Sequence, residues 1–122
     1  MQEQDIDKAQ KLHSELQQLL RERRNQSQAA GVAALQRLLP VAQRDTGQSG
    51  VVGRFLLGLY NGHAHPFALT DLRRLDLALH QDCLTVLAMD ARPVLEVHEY
   101  FAGGDRIWRE LAANWGRHSN DD

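Results

Sequence analysis

The sequence predicts an all-α fold, a single compact bundle of about six helices. Apolar residues recur at steps of three and four in most segments, which is the spacing of one helical face. Gly, Pro, Asn and Asp residues separate these segments and mark the turns. With 122 residues, 43% of them apolar and 25% charged, the chain has the composition of one ordinary globular domain with its own core.

The first predicted helix covers residues 4–25 and carries a narrow apolar stripe. Leu12, Leu16 and Leu19 form the centre of this stripe, and we interpret them as candidate oligomerisation residues. The stripe repeats over about two heptads, whereas a coiled coil is recognised from three or more. Two interpretations therefore stay open: packing against the chain's own domain, and formation of a homodimer.

A polar break at residues 25–28 predicts the end of this helix. Ser27 is a candidate N-cap for a second helix over residues 28–44. Pro40 predicts a kink or an early end of that second helix, because proline lacks the backbone donor. Residues 45–50 then read as a loop.

A third helix is predicted over residues 51–61, and it is apolar on most sides, which indicates a central helix. Gly53 and Gly58 within it would allow another helix to approach closely. Thr70 is the candidate N-cap of the strongest helix in the sequence, predicted over residues 71–89.

The C-terminal part has two readings. In the first, Pro93 begins a short helix that ends at Gly103, and Asp105 caps the last helix. In the alternative, residues 85–101 form a β-hairpin, because valine, leucine and aromatic residues alternate there with polar ones. The hairpin would make the fold α+β. In either case the predicted core contains Phe55, Leu56, Leu59, Leu72, Leu75, Leu79, Val86, Trp108, Leu111 and Trp115.

The chain divides into three predicted parts. Residues 1–26 form an N-terminal amphipathic helix that is less essential for folding than the rest. Residues 27–116 form the helical core domain, because the dense aliphatic and aromatic segments lie there. Residues 117–122 form a disordered polar tail.

Cysteine and hydropathy patterns exclude several classes of protein. The single cysteine, Cys83, excludes a disulfide framework and a cysteine-based zinc site. No run of apolar residues is long enough to span a membrane, and the N-terminus has no secretory signal. We therefore expect a cytoplasmic protein without a membrane partner.

The chemistry-bearing residues do not form a recognised catalytic or metal-binding motif. His63 and His65 are two residues apart and supply too few ligands for zinc. Cys83 lies on an apolar helix face, where a thiol behaves as a small hydrophobe. Glu96 and His98 are the best acid–base pair that the sequence offers. We predict no cofactor, no metal and no catalytic residue, with an enzyme using Glu96 and His98 as an alternative.

Charge is distributed unevenly along the chain. Residues 1–44 carry a net charge of +2, whereas residues 76–122 carry four arginines and nine acidic residues, a net charge of −5. An acidic surface accelerates encounter with a basic partner. We therefore predict that the C-terminal half contacts a basic protein surface, with these candidate partner-binding residues: Asp82, Asp90, Glu96, Glu99, Asp105 and Glu110.

Residues 52–115 resemble a family of small uncharacterised domains carried on proteobacterial plasmids and integrative elements. The resemblance lies in Gly53-Arg-Phe-Leu-Leu-Gly-Leu-Tyr-Asn-Gly62, Leu69-Thr-Asp-Leu-Arg-Arg-Leu-Asp76, Met89-Asp-Ala-Arg-Pro93 and Glu96-Val-His-Glu-Tyr-Phe101. It implies a bacterial accessory protein of a mobile element and assigns no catalytic residue.

Together these features predict a non-enzymatic interaction protein. Small acidic helical proteins of mobile elements often act by covering a partner's surface, so a counter-defence inhibitor resembling anti-CRISPR proteins is the leading form of this function. The alternative of another class is a DNA-associated regulator that dimerises through the first helix, which leaves nucleic acid open as a partner.

Overall fold

A computed structural model describes residues 2–116 of the chain. Within this range it contains helices and no β-strand, which confirms the all-α prediction and shows that the alternative β-hairpin over residues 85–101 is wrong. Two short 3-10 segments, Leu69–Arg74 and Val97–Tyr100, lie between the longer helices. The α-helices are α1 (Gln2–Ala42), α2 (Ser49–Tyr60), α3 (Leu77–Asp90) and α4 (Gly104–Trp115). The predicted tail, residues 117–122, lies outside the described range.

The first helix is continuous, and the predicted break at residues 25–28 is wrong. α1 contains 41 residues and is roughly 60 Å long. Asn25 and Ser27 cost at most about 0.7 kcal/mol each relative to alanine, which is too little to stop a helix that is already propagating. The helix also passes Pro40 and ends at Ala42, because a proline so close to the C-terminus removes a single helical hydrogen bond.

The core lies between the last third of α1 and the helices α2, α3 and α4. α1 and α3 run antiparallel, since Arg37 pairs with Asp82 while Gly31 lies against Met89. Seven of the ten predicted core residues are buried, and Leu59, Leu79 and Trp115 pack partly buried around them. The prediction missed the α1 contribution to this core: Ala34, Leu35, Leu38, Leu39 and Ala42.

Two tryptophans of α4 fix this helix against α2 and the end of α1. The Trp108 indole N–H donates to the Leu56 carbonyl oxygen at 3.1 Å, and the Trp115 indole N–H donates to the Ala42 carbonyl oxygen at 2.8 Å. The Trp115 ring lies directly over Gly53, where a Cβ atom would overlap it. Gly53 thus allows the close helix approach that the sequence predicts.

Gly58 has a different neighbour from the one predicted. A Cβ atom there would lie 3.2 Å from the His65 carbonyl oxygen and 3.4 Å from the Phe67 Cβ, so this glycine accommodates the loop after α2 rather than another helix.

The start of α3 differs from the prediction. Residues 69–74 form a 3-10 segment, and the α-helix begins six residues later than predicted, at Leu77. Asp76 is its N-cap, with a side-chain oxygen that accepts the Leu79 N–H at 2.9 Å. The Gln48 side chain holds Asp76 from the other side, because its amide oxygen accepts the Asp76 N–H at 2.6 Å. The hydrogen bond from Leu79, and a further one that the Gln48 Nε2 atom donates to Asp76 Oδ2 at 3.3 Å, lower the pKa of the Asp76 carboxyl group.

The segments before α4 also begin differently from the prediction. The short segment expected to start at Pro93 is the 3-10 segment Val97–Tyr100. The N-cap of α4 is Gly103 with φ of +70°, a left-handed conformation that favours glycine. Asp105, the predicted cap, lies in the first turn of α4, where its negative charge still complements the helix dipole.

Candidate interaction surface

The first half of α1 projects from the domain with its apolar residues exposed. We call the side chains of Ile6, Ala9, Leu12, Leu16, Leu19 and Leu20 the α1 stripe. Leu12 is 66% exposed, Leu16 53% and Leu19 62%. Contiguous exposed apolar side chains of this kind mark interaction sites in soluble proteins.

The stripe continues the face by which α1 packs into the core. Counting at about 100° per residue, Leu16 and Leu20 lie in line with the buried Ala34 and Leu38. α3 covers this face from about Arg37 to Gly31. Among the described residues, none covers the stripe itself.

A groove lies where the covered and uncovered parts of α1 meet. It has a volume of about 480 Å³ and runs between α1 and the turn that follows α3. Its lining within residues 2–116 holds three arginines and no carboxylate, together with apolar side chains. We call it the arginine groove, and its main lining residues are Leu20, Arg23, Arg24, Met89, Arg92 and Val94.

The six acidic candidates do not form one free surface. Asp82 is mostly buried against α1, where its carboxylate accepts hydrogen bonds from the Arg37 Nε atom at 3.1 Å and from Nη2 at 2.8 Å. The Glu110 Oε1 atom lies 4.0 Å from the Nε atom of Arg106, one turn away on α4. The Asp105 carboxylate lies 3.4 Å from His98 Nε2. Three of the six therefore lie against a basic side chain, Arg37, Arg106 or His98, within the domain.

The carboxylates of Glu96 and Glu99 cap the 3-10 segment between them. The Glu99 Oε1 atom accepts the Glu96 N–H at 2.9 Å, and the Glu96 side chain accepts the backbone N–H of Glu99. This reciprocal arrangement is a capping box. The capping box gives the two glutamates of the Glu-x-x-Glu spacing a structural role, so this spacing does not by itself indicate a catalytic site.

The imidazole of His98 packs against aromatic rings. Its ring centroid lies 4.9 Å from that of Tyr60 and 6.5 Å from that of Trp108. The Nδ1 atom is buried and has no hydrogen-bond partner among the described residues. The structure brings His98 close to Asp105 rather than placing it with Glu96 in a cleft.

His63 and His65 follow the end of α2. The Asn61 side-chain oxygen accepts the N–H groups of His63 and Ala64, which closes a turn typical of asparagine. No group of three or more His, Cys, Asp or Glu residues within residues 2–116 is arranged to hold a metal ion.

A second cleft, with a volume of about 580 Å³, lies between α2, the following loop and the end of α4. Its lining includes Arg54, His65, Asp71 and Trp115. Sequence reasoning missed this cleft, because its members are far apart in the chain and no motif connects them.

Cys83 is fully buried, and burial together with the neighbouring Asp82 charge raises the pKa of its thiol to about 12. We expect the native protein to resist a disulfide reagent at pH 8 and to release one thiol per chain after denaturation, because the thiolate is the reactive form. Ser14→Cys, which adds an exposed thiol on α1, is the reactive control. Labelling of wild-type Cys83 as fast as that control would contradict the burial.

Burial and the nearby Glu96 charge raise the pKa of Asp90. Because its folded-state pKa lies above the unfolded value of about 3.9, this carboxyl group loses stabilisation as the pH rises from that value through the folded-state pKa. Asp90→Asn should therefore raise Tm at pH 7, and the gain should disappear below pH of about 3.9. The exposed loop residue Asp45 supplies the control Asp45→Asn. If the Tm gain of Asp90→Asn instead grew as the pH fell, the pKa of Asp90 would be lowered by folding and not raised.

The fold and surface described above define a small all-helical domain with one projecting helix. Residues 32–116 match the model of a family of unknown function, DUF7673, and since the match covers more than half of the chain, the protein belongs to this family. The match begins where α1 enters the core, one residue after Gly31. No curated protein and no solved structure matches the chain. Among residues 2–116, no helix combines the length and apolar character needed to cross a membrane.

Proposed function

We propose that this protein is a non-enzymatic interaction protein whose contact surface is the α1 stripe. The observation that carries the proposal is a helix of 41 residues whose first half exposes leucines at helical spacing. A helix that packs on nothing is marginally stable in water, because most helical stability in proteins comes from tertiary packing. A contact partner for the stripe would supply that packing.

The surroundings of the chemistry-bearing residues support a non-enzymatic role. The Cys83 thiol is buried with a raised pKa, and the Glu96 and Glu99 carboxylates are engaged with backbone N–H groups. An enzyme using Glu96 and His98 would need these groups to meet in a cleft. The His98 imidazole instead lies between Tyr60 and Trp108.

A counter-defence inhibitor acting by surface occlusion in the bacterial cytoplasm is one form of this function, and it rests on the resemblance to mobile-element proteins. In that form the acidic residues predicted from the sequence would steer a basic partner toward the protein. Glu96 and Glu99 are the exposed pair best placed for such steering, whereas Asp82 is already occupied by Arg37.

The experiment compares four tagged chains, the wild type and three variants, as baits in an extract of the organism that encodes the protein. Leu16→Glu places a charge in the stripe. Ser14→Glu adds the same charge on the opposite face of α1 and is the matched control, and Glu96→Lys with Glu99→Lys tests the acidic residues. We expect proteins captured by the wild type to be lost with Leu16→Glu and kept with Ser14→Glu. If Leu16→Glu still captures the partner but the Glu96→Lys/Glu99→Lys variant does not, the partner binds the acidic residues and not the α1 stripe.

A DNA-associated regulator is the second candidate, and the three arginines of the arginine groove favour it. Phosphate contacts make DNA binding strongly dependent on salt. Replacement of Arg23 and Arg24 by glutamate should abolish retention on duplex DNA if this candidate is correct. If duplex DNA retains the wild type and the variant equally, or retains neither, the protein is not a DNA-associated regulator acting through these arginines.

A further inference from the structure

We propose that the α1 stripe is covered by α1 of a second copy of this chain, in antiparallel orientation, with the acidic first turns of each copy in the arginine groove of the other. This inference rests on the proposed function and names its partner. Four observations support it: the charge order along α1, the register of the stripe, the continuity of the stripe with the α1–α3 contact, and the composition of the groove.

The two ends of the projecting helix carry opposite charge. Residues 3–8 contain three acidic residues and one lysine, and residues 21–24 contain three arginines and one glutamate. The first stretch has a net charge of −2 and the second of +2. An antiparallel pair places each negative end against a positive end, whereas a parallel pair places like charges together at both ends.

The leucines also align in an antiparallel pair. In heptad notation Ala9, Leu16 and Arg23 occupy a positions, and Asp5, Leu12 and Leu19 occupy d positions. In an antiparallel pair, a positions of one helix lie opposite d positions of the other. If the pair is centred near Ser14, Leu12 faces Leu16 of the second copy and Ala9 faces Leu19 of the second copy.

The same register places charges and flanking residues in matched positions. Asp5 faces Arg23 of the second copy, and Lys8 lies on the same edge as Glu22 of the second copy. On the other edge Ile6 lies beside Leu20 of the second copy. Every apolar residue of the stripe thus meets another apolar residue, and the oppositely charged pairs lie toward the ends.

The fold already contains the contact that the second copy would extend. α3 runs antiparallel to α1 on the face that the stripe continues, and it ends at Asp90 beside the arginine groove. An antiparallel helix on the stripe continues the line of α3 along α1. Its first turns then reach the groove, where Arg92 joins Arg23 and Arg24.

The arginine groove is better matched to the N-terminal turn of a helix with acidic side chains than to one with only apolar side chains. Three arginines and no carboxylate line it within the described residues, and Leu20 and Val94 provide apolar contact. Glu3 and Asp5 supply the negative charges, and Ile6 supplies an apolar side chain for this contact.

The test uses charge reversal in full-length chains, with association measured by sedimentation equilibrium. One variant carries Arg23→Glu and Arg24→Glu, and the other carries Glu3→Lys and Asp5→Lys. In the antiparallel arrangement each variant alone repels itself at both ends, whereas a mixture of the two restores attraction at both ends. We expect each variant alone to dimerise at least about tenfold more weakly than the wild type, and the mixture to recover most of that loss. The changes lie on the exposed half of α1, and native tryptophan fluorescence of each variant, which reports the packing of Trp108 and Trp115 in the domain, is the folding control.

Cysteine cross-linking reads the orientation directly. Ala9→Cys and Leu19→Cys are treated with a short bismaleimide, separately and as a mixture of differently tagged chains. Antiparallel pairing predicts cross-links in the mixture and few in either variant alone, since equal positions lie roughly 15 Å apart along the axis. Cross-linking of each variant with itself would show parallel pairing and overturn the proposal. A wild-type chain that stays monomeric at all concentrations would also overturn it, while stripe-dependent capture of a different protein would leave the proposed function standing.

Discussion

Trp108→Ala should lower the free energy of unfolding by about 3–5 kcal/mol, the range for loss of a buried aromatic side chain. Trp108 is 2% exposed, packs on Phe101 with ring centroids 5.7 Å apart, and donates its indole N–H to the Leu56 carbonyl oxygen. The substitution removes a large buried side chain at the α2–α4 contact and leaves a cavity. Chemical denaturation of the two proteins measures the difference.

Trp108→Phe separates packing from hydrogen bonding. Phenylalanine keeps an aromatic ring but cannot donate to Leu56, so its cost should be well below that of alanine. A loss below about 1 kcal/mol for Trp108→Ala would place this residue outside the core, and equal losses for both variants would assign the effect to the hydrogen bond alone.

Gly104→Ala should be the most disruptive change of a single methyl group. A Cβ atom at Gly104 would overlap the backbone carbonyl oxygen of His98, and a backbone atom cannot rotate away as a side chain can. The 3-10 segment Val97–Tyr100 and α4 would have to separate. We expect a loss at the upper end of about 1–3 kcal/mol or beyond, the range for overpacking.

Gly47→Ala is the matched control for this prediction. A Cβ atom at Gly47 meets nothing within 4 Å, so its effect on the free energy of unfolding should stay within about 0.5 kcal/mol. Equal stability of Gly104→Ala and Gly47→Ala would mean that α4 does not approach His98 as described.

The apolar spacing within the sequence predicts the helical class and most of the core correctly, because burial of an apolar face requires that spacing. Phe55, Leu56 and Leu111 are buried as predicted. The boundaries were harder to predict. Thr70 and Asp76 are both plausible N-caps, and the tertiary hydrogen bond from the Asp76 N–H to the Gln48 side-chain oxygen, 28 residues away, favours the second.

The continuity of α1 could not be derived from local signals. Residues 25–28 are polar and resemble a break, yet each is tolerated within a helix. Whether a helix passes such a segment depends also on tertiary packing, and Gly31 and Ala34 on the C-terminal side are buried in the core.

The candidate surface was predictable in part. The helical spacing of Leu12, Leu16 and Leu19 predicts an apolar stripe, and the structure leaves these side chains exposed. Net charge along the sequence predicted an acidic surface, but charge sums do not reveal pairing, and Asp82 is paired with Arg37 from a segment 45 residues away. The arginine groove was missed for the same reason, since Arg92 joins Arg23 only in the folded chain.

Amide hydrogen exchange of residues 6–20 as a function of protein concentration tests the central claim most directly. A projecting helix without tertiary contacts opens readily, whereas the same helix packed against a second copy is protected. We expect slow exchange at Leu12, Leu16 and Leu19 at high concentration, faster exchange on dilution, and fast exchange at every concentration in Leu16→Glu. Exchange in the wild type that is independent of concentration and equal to that of Leu16→Glu would contradict the account.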